Sequence, residues 1–123
     1  MLNRSILVKN SLEETELILK ELIPTINGKI KNISDEEYSI EWTYLYGLQT
    51  IFCETKLIPN KKGIEIFSTA NSDDIYKTGA EKALNELYDS LYITTKLKSF
   101  EKEKKEKKQK QTFQSNNKTN YKL

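Results

Sequence analysis

Between residues 38 and 70, large side chains recur at every second position. Tyr38, Ile40, Trp42 and Tyr44 alternate with Ser39, Glu41 and Thr43, which is the period of a half-buried strand. Gly47-Leu48 follows and fits a two-residue hairpin with glycine at its first central position, as a type II′ turn requires. That turn sets a register. Tyr46 faces Gln49, Tyr44 faces Ile51, Trp42 faces Cys53, Ile40 faces Thr55 and Tyr38 faces Leu57. Pro59-Asn60-Lys61-Lys62-Gly63 reads as the next turn, with Leu57 opposite Ile64 and Thr55 opposite Ile66. The same register pairs Lys56 with Glu65, a favourable cross-strand pair. The expected core face is Tyr38, Ile40, Trp42, Tyr44, Ile51, Cys53, Leu57, Ile64, Ile66 and Ala70. A single register that gathers nearly all large residues on one side predicts a three-stranded antiparallel meander with one buried face.

The flanking segments change period. Ser5 to Lys9 is short and apolar and suits a first strand. Ser11, with Glu14 three residues later, is a capping box, in which each side chain satisfies the other's backbone N–H. A helix is expected from Leu12 to Ile23, with Leu12, Thr15, Leu19, Leu22 and Ile23 on its apolar stripe and Ile18 flanking it. Pro24 ends or kinks it, because the ring clashes with the preceding turn. Thr25 to Gly28 is a connector, in which Gly28 is free to take positive φ. Lys29 to Ile33 alternates as a short strand, and Ser34 to Glu37 is a turn. A second helix is expected from Asp73 or Lys77 to at least Tyr92. Its stripe is Ile75, Gly79, Ala80, Ala83, Leu84, Leu87 and Leu91, with Tyr88 and Tyr92 beside it. The small residues at 79, 80 and 83 let that helix lie close to the sheet.

Charge divides the chain at its end. Residues 96 to 123 hold ten lysines and three glutamates, a net +7, which leaves 10 basic and 15 acidic groups in residues 1 to 95, a net −5. The expected organisation is one domain over residues 4–95 and a Lys-rich tail over 96–123, helical at its start and disordered at its end. A single cysteine excludes an internal disulfide framework. No run approaches the roughly 18 apolar residues of a membrane span. The N-terminal stretch lacks the long apolar region of a signal peptide. Cytoplasmic location is the expectation.

The chain has no histidine. This removes Ser–His and Cys–His nucleophilic chemistry and the common zinc shells. The four glycines are isolated, so there is no Gly-rich phosphate loop. No cofactor or metal is expected. Cys53, opposite Trp42, reads as a redox-sensing thiol or as a small buried hydrophobe. Glu41 and Glu54 face each other on the side away from Trp42. They suit acid–base work or Ca²⁺, or are two solvated glutamates. Leu45, Phe52 and Phe67 share that outer face, with Phe52 and Phe67 as diagonal neighbours. Apolar groups on a polar sheet face mark a binding or self-association surface, or pack against Met1 to Arg4 or the C-terminal segment. Lys104, Lys105, Lys107 and Lys108 can contact nucleic-acid phosphates or anionic lipid, or merely solubilise the tail. Tyr38, Tyr44, Tyr46, Tyr76, Tyr88 and Tyr92 line a ligand groove between sheet and helices, or fill the core.

The order strand, helix, short strand, three-stranded meander, helix, carried by SLEETELILKEL, GKIKNI, YSIEWTYLYG and DIYKTGAEKALNELYDSL over residues 5 to 93, resembles small bacterial β-α-β-β-β-α domains of unknown function. The resemblance implies a reduced helix-grip arrangement and carries no functional residue. Pro24 stands where that pattern has a tighter glycine turn. The expected fold is α+β, with two helices on one face of a mainly antiparallel sheet of four or five strands. The expected function is a non-catalytic binding or interaction module that meets a protein partner or a second copy through the outer sheet face, or meets nucleic acid or an anionic surface through the tail. The alternative is a carrier of a small hydrophobic ligand held between sheet and helices.

Overall fold

The computed structural model describes residues 1–72 and 77–96. The chain forms β1 (Leu2–Val8), α1 (Leu12–Thr25), β2 (Gly28–Ser34), β3 (Ser39–Tyr46), β4 (Gln49–Asn60) and β5 (Gly63–Asn71), then a helix, α2, over 78–96. The five strands make one antiparallel sheet in the order β1-β5-β4-β3-β2. β1 closes one edge and β2 the other. The buried side chains of both helices merge with those of one sheet face into a single core. This is the expected α+β class, with all five strands formed. The tail beyond residue 96, including Lys104, Lys105, Lys107 and Lys108, lies outside the described residues, as do Ile75 and Tyr76.

The α1 capping box is present. Ser11 Oγ accepts from the Glu14 amide at 3.1 Å, and the Ser11 amide donates to Glu14 Oε1 at 3.1 Å. The apolar stripe forms with a slightly altered membership. Ile18 is buried with Thr15, Leu19 and Ile23, while Leu12 and Leu22 sit at its margins. Pro24 lies inside the last turn, and the helix ends at Thr25. The positive-φ residue of the connector is Asn27, at φ 67, rather than Gly28. Gly28 is needed for another reason. A Cβ there would sit 2.8 Å from the Ile23 carbonyl oxygen and 2.9 Å from the Trp42 ring.

The β3–β4 hairpin has the register expected from Gly47-Leu48, from Tyr46↔Gln49 to Ile40↔Thr55, with Gly47 at φ 62. Tyr38 departs from it. It takes φ 52 and leaves the core, 43% exposed, so it is not a core-face residue. Its carbonyl still accepts from the Leu57 amide at 2.9 Å.

The β4–β5 turn differs more. β4 continues through Pro59 to Asn60, which pairs with Gly63 across the two-residue turn Lys61-Lys62. Asn60 Oδ1 accepts from the Lys62 amide at 2.9 Å, a local bond that asparagine makes readily in turns. The register therefore shifts by two. Leu57 pairs with Ile66, Thr55 with Ser68 and Lys56 with Phe67, while Glu65 lies opposite Ile58. A shift of two preserves which side chains face inward, so Leu57, Ile64, Ile66 and Ala70 remain buried. The expected Lys56–Glu65 pair does not form.

That shift sets two inward-facing polar side chains opposite each other. Thr55 and Ser68 are fully buried, and a chain of hydrogen bonds accounts for them. Trp42 Nε1 donates to Thr55 Oγ1 at 3.0 Å. Thr55 Oγ1 and Ser68 Oγ are 2.8 Å apart, as are Ser68 Oγ and the Tyr88 hydroxyl. The Tyr88 hydroxyl also lies 2.9 Å from the carbonyl oxygens of Ile66 and Arg4. α2 reaches the sheet by close approach at its start. A Cβ on Gly79 would sit 2.7 Å from Ile51 Cδ1 and 3.3 Å from Tyr46 Cβ.

Removing one member of this chain strands its neighbours in an apolar core. Tyr88→Phe and Ser68→Ala should each lower stability by about 1–3 kcal/mol. The double variant should lose less than the sum, because both changes break one network. Urea denaturation of the four proteins measures both quantities, and full additivity would rule out the coupled chain.

Candidate functional site

The outer face of the sheet is the side turned away from both helices. Cross-strand pairing arranges it in rows. Leu7, Glu65 and Ile58 form one. Ser5, Phe67 and Lys56 form the next. Asn3, Thr69, Glu54, Glu41 and Asn32 form the middle row. Asn71, Phe52, Thr43 and Lys29 follow, and Leu45 with Thr50 ends the sheet. Among the described residues, no helix lies over these rows.

The candidate residues fall into two groups here. Phe52 and Leu45 are diagonal neighbours, 65% and 64% exposed. Phe67 does not join them. It pairs with Lys56, four residues from Phe52 along β4, a separation of about 13 Å at the rise of a strand. The expected diagonal contact between Phe52 and Phe67 is therefore absent, because the tighter β4–β5 turn moved β5 by two residues. Phe67 instead lies next to Leu7 and Ile58, at the far end of the face. The outer face carries two small apolar patches with polar residues between them. Leu7 and Ile58, 46% and 42% exposed, are the members that sequence reasoning missed. Their alternation was legible, but their lateral neighbours depended on the β4–β5 register.

Glu41 and Glu54 are directly opposite, as expected. Each carboxylate has a partner. Asn32 Nδ2 donates to Glu41 Oε1 at 3.2 Å, and Lys56 Nζ lies 3.9 Å from Glu54 Oε1. Among the described residues, no three His, Cys, Asp or Glu side chains are placed to hold a metal ion. The pair lies in the middle row of an open sheet face.

On the other face, Cys53 is buried opposite Trp42. Burial pushes its thiol up to about 12, so the nucleophilic thiolate is scarce at neutral pH. Of the tyrosines, Tyr44 and Tyr88 are buried and hydrogen-bonded, whereas Tyr38 and Tyr92 are exposed. Tyr44 donates to Glu86 Oε2 at 2.8 Å. Burial first, then this carboxylate, raises Tyr44 to about 12. Burial raises Tyr88 to about 12 as well, against the opposing effects of its Ser68 hydrogen bond and the Arg4 charge. Trp42, Leu19, Ile23, Ile51, Ile66, Leu87 and Leu91 fill the space between sheet and helices.

Compared with known proteins, the chain matches no family model and no curated protein sequence. Among the described residues, no helix is long and apolar enough to cross a membrane.

The raised groups predict an alkaline limit to stability. Cys53, Tyr44 and Tyr88 bind their protons more tightly folded than unfolded, so their contribution is complete below the ordinary values of 9.0 and 10.0. It is lost as pH rises toward about 12. Urea midpoints should fall across that window while Cys53 stays unlabelled by a thiol reagent in the folded protein. Rapid labelling of the native protein near pH 8 would contradict this.

Proposed function

We propose that this chain is a non-catalytic interaction module and that its outer sheet face meets a macromolecular partner around Leu45 and Phe52. The observation that carries this reading is the exposure of these two adjacent large side chains, 64% and 65%, on a sheet face that no described helix covers. Folding places them in solvent, where an aromatic ring gains nothing from the core, and a partner surface would recover that apolar area. The polar middle row beside them, with Glu41 and Glu54, supplies a rim that fixes orientation.

Three further observations favour an interaction module over catalysis or ligand carriage. The absence of histidine removes the commonest acid–base group. The single thiol is buried and held protonated. The side chains around Trp42 are packed to near-zero exposure, which leaves the interior to structure. The Lys-rich tail, with Lys104, Lys105, Lys107 and Lys108, adds a means of contact with nucleic acid or an anionic surface.

A photo-reactive amino acid at position 45 or 52 should crosslink a macromolecule in cells that express the protein, while the same group at Lys82 on α2 should not. Phe52→Asp should abolish the crosslink from position 45 and leave stability within about 0.5 kcal/mol, because the site is exposed. Equal crosslinking from position 82 would refute the assignment to this face.

A further inference from the structure

The two edges of the sheet are not alike. β2 is guarded. Its pairing with β3 is interrupted between Ile30 and Asn32, with Lys31 at the interruption and Lys29 just before it, the usual devices against strand addition. β1 has no such break. All seven of its residues pair in one continuous register from Leu2↔Ala70 to Val8↔Ile64, and the strand contains no proline or lysine.

A depression of about 320 Å³ runs along this edge. Ile6, Val8 and Lys9 form one wall, and Tyr92, Thr95 and Lys96 of α2 form the other. Tyr92 is 54% exposed, with Lys96 Nζ 5.1 Å from its ring centre and 3.1 Å from its hydroxyl. Arg4 lies on the same side of the strand, since it pairs with buried Ser68 and its guanidinium sits 5.9 Å from the Tyr88 ring. Among the described residues, none of Arg4, Lys9 and Lys96 pairs with a carboxylate, and the three ion pairs formed lie elsewhere.

We propose that the β1 edge and its groove dock an extended peptide strand bearing acidic side chains, which adds to the sheet beside β1. The backbone edge supplies hydrogen bonds, the Ile6–Tyr92 groove takes an apolar side chain, and the three cations select acidic neighbours. The charges decide the occupant. A second copy paired through β1 would bring six like charges together, and the chain's own tail is itself cationic. An acidic strand meets no such repulsion.

The test uses the full-length, isotope-labelled protein and two short peptides, one alternating valine with glutamate and one alternating valine with lysine. The glutamate peptide should shift the amide resonances of residues 2–8, 92 and 96 and slow hydrogen exchange of the outward-facing β1 amides. The lysine peptide should do neither. Lys9→Glu with Lys96→Glu should weaken the glutamate peptide about tenfold while resonances away from the edge stay in place. The proposal is overturned by shifts confined to the outer face, by equal binding of both peptides, or by shifts without slowed exchange. Displacement of tail resonances from the groove, or β1 shifts that depend on protein concentration alone, would name the tail or a second copy as occupant and overturn it equally.

Discussion

The hydroxyl of Tyr88 has one proton and three acceptors within reach. Carbonyl oxygens only accept. If the tyrosine proton goes to Ile66 or Arg4, Ser68 must donate to tyrosine, Thr55 to Ser68 and Trp42 to Thr55. Four protons then serve four links, and the indole, both aliphatic hydroxyls and the phenol are satisfied in one direction. This is how fully buried Thr55 and Ser68 are tolerated in the core, where an unpaired hydroxyl would be costly. The chain crosses β3, β4 and β5 and ends on α2, so it also sets where that helix lies. Gly79 admits the helix at one end against Ile51, and Tyr88 ties it to the β1–β5 side further along.

With both helices held on one face, no helix among the described residues covers the other. Two-residue turns at Gly47-Leu48 and Lys61-Lys62 keep β3, β4 and β5 in close succession. The resulting outer face is polar across its middle, where Asn32 and Lys56 support Glu41 and Glu54. It is apolar only near its ends. Leu45 and Phe52 lie toward one end, and Phe67, Leu7 and Ile58 toward the other. The sheet edges divide in the same way, with one interrupted and lysine-bearing and the other regular and beside a cationic groove.

Much of this was legible in the residue order. Period-two alternation marked β3 to β5, and Ser11 with Glu14 marked the start of α1. Gly47 fixed the β3–β4 register because a two-residue turn leaves no freedom in pairing. Five residues from Pro59 to Gly63 left that freedom at the next turn, and Asn60 resolved it by bonding the Lys62 amide. The shift of two residues did not disturb the core face but rearranged every β4–β5 neighbour on it and behind it. Phe52 lost Phe67, and Thr55 gained Ser68. Tyr38 was misplaced because its alternation continues that of β3, while its backbone takes a positive φ that no glycine announces.

Residue order alone is enough for the elements, their succession and which side of each strand is apolar, since these follow from local periods and turn chemistry. Packing of the whole chain settles which residues are neighbours across the sheet, which polar groups the core can satisfy, and which strands are edges. Those depend on the pairing of segments far apart in the chain. A parity rule along one strand cannot supply them, because a slip of two leaves parity unchanged while altering every cross-strand contact.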